Sequence, residues 1–356
     1  MNYDVVPTIR AVGGAFPPYY MPQEVVVDNL RRHWSAQAGA WRRLTHLLDT
    51  SRVKGRYVAL TVPEYRALDS FAKANAAWTR IAAELGQAAA SQALSRAGLE
   101  PRDVDHLFFV TGTGIATPSL DARVVNAMGF RADLKRTPIF GLGCAGGAAA
   151  VARAADYLRA FPEHVAAVIS VELCSLTLQR DDATPANLIA SMLFGDGAAC
   201  VVLCGGRAGE PGQARVLDSR ARFFADTERV MGWDVVDSGF KIVMSPEIPN
   251  LVRANLAGEV DEFLASRGLE RGAVRHWIAH TGGPRVLEAV GQALDLDANT
   301  LARSWRMLGK LGNLSSASVL LVLGDLLEAG EARAGDYGLM FAMGPGFCAE
   351  LVLLQW

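Results

Sequence analysis

Three residues far apart in the chain, Cys144, His280 and Asn313, are of types that carry out acyl chemistry together. Cys144 sits in TPIFGLGCAGGAAAVARAADYLRAFP, which reads as an apolar strand, a glycine turn and a helix stopped at Phe161-Pro162. A thiol at a helix N-terminus feels the positive end of the dipole and unpaired N–H groups. Both favour thiolate over the usual pKa of about 8.5. A nearby imidazole would lower it further, and the same N–H groups suit an acyl oxyanion. His280 stands in WIAHTGGPR beside a glycine-proline turn, and Asn313 stands in KLGNLSSASV ahead of an apolar helix. Each also has a purely structural reading: a small buried hydrophobe, a satisfied strand-end imidazole and a helix N-cap.

The elements that must position these residues come from an internal repeat. Gly98-Leu99-Glu100, Val104, His106, Thr111 and Gly112 recur as Gly268-Leu269-Glu270, Val274, His276, Thr281 and Gly282. At nearly the same offset, GCAGGA from Gly143 matches GNLSSA from Gly312, and AAVISVE (166–172) pairs with LMFAMGP (339–345). The repeat predicts two related α/β halves, 1–206 and 207–356, joined near the glycine-rich stretch 205–213. Helix and strand alternate in both halves, which implies an α/β/α/β/α sandwich. His280 replaces Val110 of the first copy, a change no scaffold requires. Cys144 and Asn313 occupy equivalent helix starts, so a pseudo-two-fold axis would bring all three side chains into one pocket.

Composition narrows the function classes. With 356 residues, 51% apolar and 20% charged, the chain suits a large α/β protein. A net charge of −2 gives no reason to expect nucleic-acid binding. The five cysteines are scattered without metal spacing, no apolar run is long enough to span a bilayer, and the start lacks a secretion signal. A reducing cytoplasm is the expected location. Two rival chemistries remain. Gly141-Leu-Gly143-Cys-Ala-Gly146 fits the G-x-G-x-x-G outline of an NAD-dependent oxidoreductase, with Glu172 ending the next strand. A cysteine thioesterase or amidase is the other.

The set GLGCAGG, VELCSLT, LFGDGAA, HTGGPR, GNLSSAS and AMGPG resembles chalcone synthase and its bacterial type III polyketide synthase relatives over nearly the whole chain. VELCSLTLQ is similar to the alkylpyrone and alkylresorcinol branch. HTGGPR separates the chain from β-ketoacyl-ACP synthase III, whose histidine is usually followed by Gln-Ala-Asn. The resemblance implies a thiolase-like fold, a homodimer, acyl-CoA and malonyl-CoA as substrates, and no cofactor beyond their coenzyme A. It implies Cys144 as the acyl-accepting nucleophile, with His280 sustaining its thiolate as an ion pair. His280 and Asn313 would together stabilise the enolate left by decarboxylation.

Further roles follow from the same resemblance. Phe194 matches a gatekeeper aromatic, and Ile242 stands where plant enzymes have a second gatekeeper phenylalanine. Thr177 matches an initiation-pocket position, and Thr117 one that reaches across the dimer interface. Ser315 follows the asparagine as in the family, while Gly344-Pro345-Gly346 ends the closing loop. Arg43, Lys54 and Arg56 would bind the phosphates of coenzyme A. The expected product is a pyrone, resorcinol or related ring, and losing an aromatic wall at Ile242 points to a fatty-acyl starter. A malonyl-primed tetrahydroxynaphthalene-type synthase and a single-condensation synthase III-like enzyme are the alternatives.

Overall fold

The computed structural model describes residues 5–34, 51–206 and 213–356. In chain order the first half carries β1 (Thr8–Ala15), β2 (Tyr19–Pro22), α1 (Gln23–His33), β3 (Gly55–Val58), α2 (Val62–Ala67) and α3 (Phe71–Ala97). It continues with β4 (His106–Val110), α4 (Asp121–Met128), β5 (Lys135–Ile139), α5 (Gly146–Ala160), β6 (Val165–Leu173), α6 (Pro185–Leu193) and β7 (Asp196–Cys204). The second half has β8 (Ala214–Phe223), β9 (Met231–Val236), β10 (Gly239–Met244), α7 (Ile248–Ala265), β11 (Val274–Ala279) and α8 (Pro284–Leu294). It ends with α9 (Ala302–Leu311), α10 (Ser316–Ala329), β12 (Tyr337–Gly344) and β13 (Cys348–Gln355).

The two halves repeat one pattern of strand pairing. In the first, β4 runs parallel to β6, and β6, β7 and β1 follow antiparallel. In the second, β11 runs parallel to β12, and β12, β13 and β8 follow antiparallel. Strand β5 adds an edge to the first half alone. The half-sheets touch where β1 meets β8 at Thr8↔Arg215 and Ile9↔Ala214, so the strands run on as a single nine-stranded sheet. β2–β3 and β9–β10 form separate two-stranded ribbons.

Burial explains the layering. Helices α5 and α10 are apolar on nearly every face, as a helix packed between two sheets must be. Val151, Leu158, Leu320 and Leu323 share one core with Val201 of β7 and Val352 of β13. On the outer side of the first half-sheet, Ala82, Ala89 and Leu94 of α3 pack against Ile169 and Val202. Val252 and Phe263 of α7 cover Leu339 and Leu351 of the second. The result is the five-layered α/β/α/β/α arrangement expected from the repeat. Among the described residues, no helix is long and apolar enough to cross a membrane.

The central helices meet at their N-termini. A Cβ on Gly147 would lie 2.1 Å from the carbonyl oxygen of Ser316, so only glycine lets the two helix starts approach this closely. Ser170 and Ser316 hydroxyls bond across the same junction at 2.8 Å. This contact brings the turn before α5, which holds Cys144, next to the turn before α10, which holds Asn313.

Candidate active site

Cys144, His280 and Asn313 all line one apolar cavity of about 90 Å³. Cys144 lies in the tight turn Gly143–Ala145, His280 directly after β11, and Asn313 between α9 and α10. All three are buried. The Cys144 thiol faces the Ser315 hydroxyl, Sγ to Oγ 3.7 Å. Ser315 itself is held at φ +47°, a left-handed conformation that a non-glycine residue keeps only when its surroundings impose it. Its N–H donates to Asn313 Oδ1 at 2.8 Å. That bond fixes the flip of the Asn313 amide, leaving Nδ2 as the donor end, 3.4 Å from the Gly282 carbonyl oxygen. The N-cap of α10 is Ser315, so Asn313 is not the helix cap; its oxygen instead braces the turn before the helix, and its nitrogen remains the donor end.

Burial dominates the electrostatics of the pair expected to ionise together. Burial pushes the Cys144 thiol up to about 12, the nearby Glu172 adds to that, and hydrogen bonds from Ser315 and Asn313 oppose it. Burial alone lowers His280 to about 4, and neither of its ring nitrogens has a partner among the described residues. Burial thus works against the charged form of both groups. Loss of water around the thiol is the leading influence on it.

A second, larger cavity of about 410 Å³ adjoins the first. Phe194, Trp233 and Ile242 line both, so these three side chains form the partition between them. Thr177 lines the larger cavity, while Ser315 and Pro345 line the smaller. Gly344 and Gly346 flank Pro345 in the closing turn, and Gly344 is buried against the turn that holds Cys144. Thr117 is exposed and lines neither cavity.

Among the expected coenzyme A contacts, Arg56 departs from a rim position. Arg43 lies outside the described residues, and Lys54 is exposed. Arg56 is only 1% exposed. Its guanidinium donates to the carbonyls of Ser191 and Phe194 at 3.0 Å each, and also to the Met192 carbonyl and the Gln23 side chain. A guanidinium so engaged is not free to clamp a phosphate, and Arg56 is a buried strut rather than a rim residue.

Two residues near the site take roles that the sequence does not reveal. Trp233 stands directly opposite Ile242 in the β9–β10 ribbon, so an indole refills the wall that the missing phenylalanine vacated. Only the ribbon register places it there. Glu172, the acidic residue in the outline of the rival dinucleotide motif, is fully buried. It accepts from the Gly112 N–H and the Thr113 hydroxyl at 3.0 Å each, and from Ser316. The glycine motif serves packing too, because a Cβ on Gly143 would lie 2.7 Å from Pro345 Cδ. That leaves no approach for a pyrophosphate.

Comparison with known proteins agrees with this geometry. The sequence pattern of the N-terminal domain of chalcone and stilbene synthases matches residues 4–207, and that of the C-terminal domain matches 216–356. The chain belongs to the chalcone and stilbene synthase family. It is a type III polyketide synthase, a condensing acyltransferase with the thiolase-like fold. It is 47% identical to a 1,3,6,8-tetrahydroxynaphthalene synthase of Streptomyces peucetius, over 98% of this chain and 93% of that one. A putative chalcone synthase of Bacillus subtilis is 36% identical over 98% of both. The crystal structure of 1,3,6,8-tetrahydroxynaphthalene synthase from Streptomyces coelicolor superposes with a TM-score of 0.91 at 30% identity, covering 98% of this chain and 99% of that one.

Proposed function

We propose that Cys144, His280 and Asn313 build an aromatic polyketide from malonyl-CoA, with malonyl-CoA also serving as the starter. The observation that carries the chemistry is the single cavity in which a thiol, an unpartnered imidazole and an oriented amide N–H₂ converge. The malonyl starter is favoured by the similarity to the S. peucetius enzyme and by Trp233, which narrows the passage beside Ile242.

Each step assigns work to a named atom. The thiol gives its proton to the imidazole as Sγ attacks the thioester carbonyl. The tetrahedral oxyanion collapses, coenzyme A leaves as a thiolate, and the imidazolium returns the proton to it. A second malonyl-CoA then loses carbon dioxide, and the electron pair of the broken C–C bond passes to the thioester carbonyl. Asn313 Nδ2 and a His280 N–H donate to that developing enolate oxygen. Neutral donors in a dry cavity suit this role, because they need no reorganisation as charge appears. The enolate carbon attacks the acyl group on Cys144 and releases its thiolate for the next cycle.

A fatty-acyl starter is the second reading, favoured by the apolar wall at Ile242 and the size of the adjoining cavity. Incubation with malonyl-CoA alone separates the two. The proposal expects an aromatic product without any other acyl-CoA. A product that forms only on adding hexanoyl- or octanoyl-CoA would favour the fatty-acyl reading.

The homodimer is also proposed. Ile115 and Phe140, each 52% exposed, follow the adjacent strands β4 and β5 and leave apolar surface for a second copy. Thr117, close to Ile115, would reach a cavity only across such an interface. Five free cysteines, four of them buried, suit a reducing compartment, and the cytoplasm is the proposed location.

A further inference from the structure

We infer that Arg56 is a positioning residue that locks the partition residue Phe194 and the oxyanion donor Asn313 into one rigid unit. The inference rests on the role proposed above for Asn313. Helix α6 ends at Leu193, leaving its last carbonyls without helical partners and with partial negative charge. The guanidinium of Arg56, arriving from strand β3, binds three carbonyls of this region, those of Ser191, Met192 and Phe194. From the other side the same segment is bridged to Asn313. The Asn313 N–H donates to the Leu193 carbonyl at 2.9 Å, and the Gly195 N–H donates to the Asn313 carbonyl at 2.9 Å. Phe194 is thus held between Arg56 and the backbone of Asn313.

The surroundings fit a strut and not a ligand clamp. Gln23 engages the remaining face of Nη2, and Asp196, two residues past Phe194, supplies the attractive opposite charge. Asp196 is in turn pinned by the N–H groups of Ala59 and Ser175. Burial lowers Arg56 to about 9, so it stays charged at neutral pH. A rigid, planar donor fork can satisfy several carbonyls at once, whereas a lysine ammonium is a point donor on a flexible stem. Arg56 therefore influences turnover through the placement of the Asn313 amide and the Phe194 ring, without touching coenzyme A.

The test compares Arg56→Lys and Gln23→Leu with the wild type, measuring acylation of Cys144, KM for malonyl-CoA and kcat for extension. Arg56→Lys keeps the charge and so has the better chance of folding, which circular dichroism checks. The expected result is Cys144 loading within about twofold of wild type, unchanged KM, and kcat lower by about tenfold, equivalent to ~1.4 kcal/mol. Gln23→Leu, which frees one N–H of Nη2 while the other still holds the Met192 carbonyl, should lower kcat in the same sense by about threefold. Wild-type kcat in a folded Arg56→Lys would overturn the inference. So would a raised KM with kcat unchanged, which would restore Arg56 as a coenzyme A contact. Failure of the wild type itself to acylate Cys144 or consume malonyl-CoA would instead sink the underlying functional reading.

Discussion

Asn313 does two jobs with two ends of one amide, and substitution can separate them. Asn313→Ala removes both: Oδ1 no longer holds the Ser315 N–H, and Nδ2 no longer faces the cavity. Asn313→Asp keeps an acceptor for Ser315 but replaces the donor with a carboxylate oxygen. Losing one preorganised oxyanion donor costs about 10²–10³ in rate, or about 2.7–4 kcal/mol of transition-state stabilisation. Losing the hydrogen bond to Ser315 costs the fold about 1 kcal/mol. Both variants should therefore release carbon dioxide from malonyl-CoA at least about a hundredfold more slowly. Both should lower the melting temperature, Asn313→Ala through the lost bond to Ser315 and Asn313→Asp through a buried carboxylate facing the Gly282 carbonyl. The assay is carbon dioxide release, run beside intact-protein mass measurement of Cys144 loading, which Asn313→Ala should retain. Wild-type decarboxylation in either variant would refute the donor role. Loss of loading as well as decarboxylation in a folded Asn313→Ala would make the residue mainly structural.

Three further predictions follow from the same geometry. Because burial raises the Cys144 thiol to about 12, its alkylation by iodoacetamide should climb steadily between pH 7 and pH 9.5. A plateau near neutral pH would reveal a preformed thiolate–imidazolium pair. Trp233→Leu should thin the wall opposite Ile242 and raise the use of octanoyl-CoA relative to malonyl-CoA as starter, measured by competition in one reaction. An unchanged ratio would show that the indole does not gate the starter. Gly147→Ala places a methyl 2.1 Å from the Ser316 carbonyl oxygen, an overpacking clash of ~3 kcal/mol or more that denaturant unfolding would register. Unchanged stability would mean that the helix junction yields easily.

The architecture was legible because duplication leaves the same residues in the same order. Gly98-Leu99-Glu100 and Gly268-Leu269-Glu270 each precede a short turn and then β4 or β11. The convergence of Cys144 and Asn313 followed from their equivalent places ahead of α5 and α10. What escaped the sequence depends on contacts between distant segments. Arg56 follows Arg52 and Lys54 in a basic stretch, and nothing local says that the carbonyls ending α6 will surround it. Trp233 and Ile242 become neighbours only through the register of the β9–β10 ribbon. Glu172 looked like a strand-end carboxylate open to a ligand. Its actual partners, the adjacent Gly112 and Thr113 and the distant Ser316, come from two separate places in the chain. The burial that opposes charge on Cys144 and His280 was hidden for a related reason, since a motif reveals the helix start but not how completely the fold excludes water from it.

The central claim is that Cys144 carries the acyl chain, and covalent loading tests it most directly. Wild type and Cys144→Ala would be incubated with malonyl-CoA and with a set of other acyl-CoAs, and their intact masses compared. The account predicts an acyl adduct on the wild type alone, removed by hydroxylamine as a thioester should be. An adduct of equal yield on Cys144→Ala, or none on the wild type with any acyl-CoA, would contradict it.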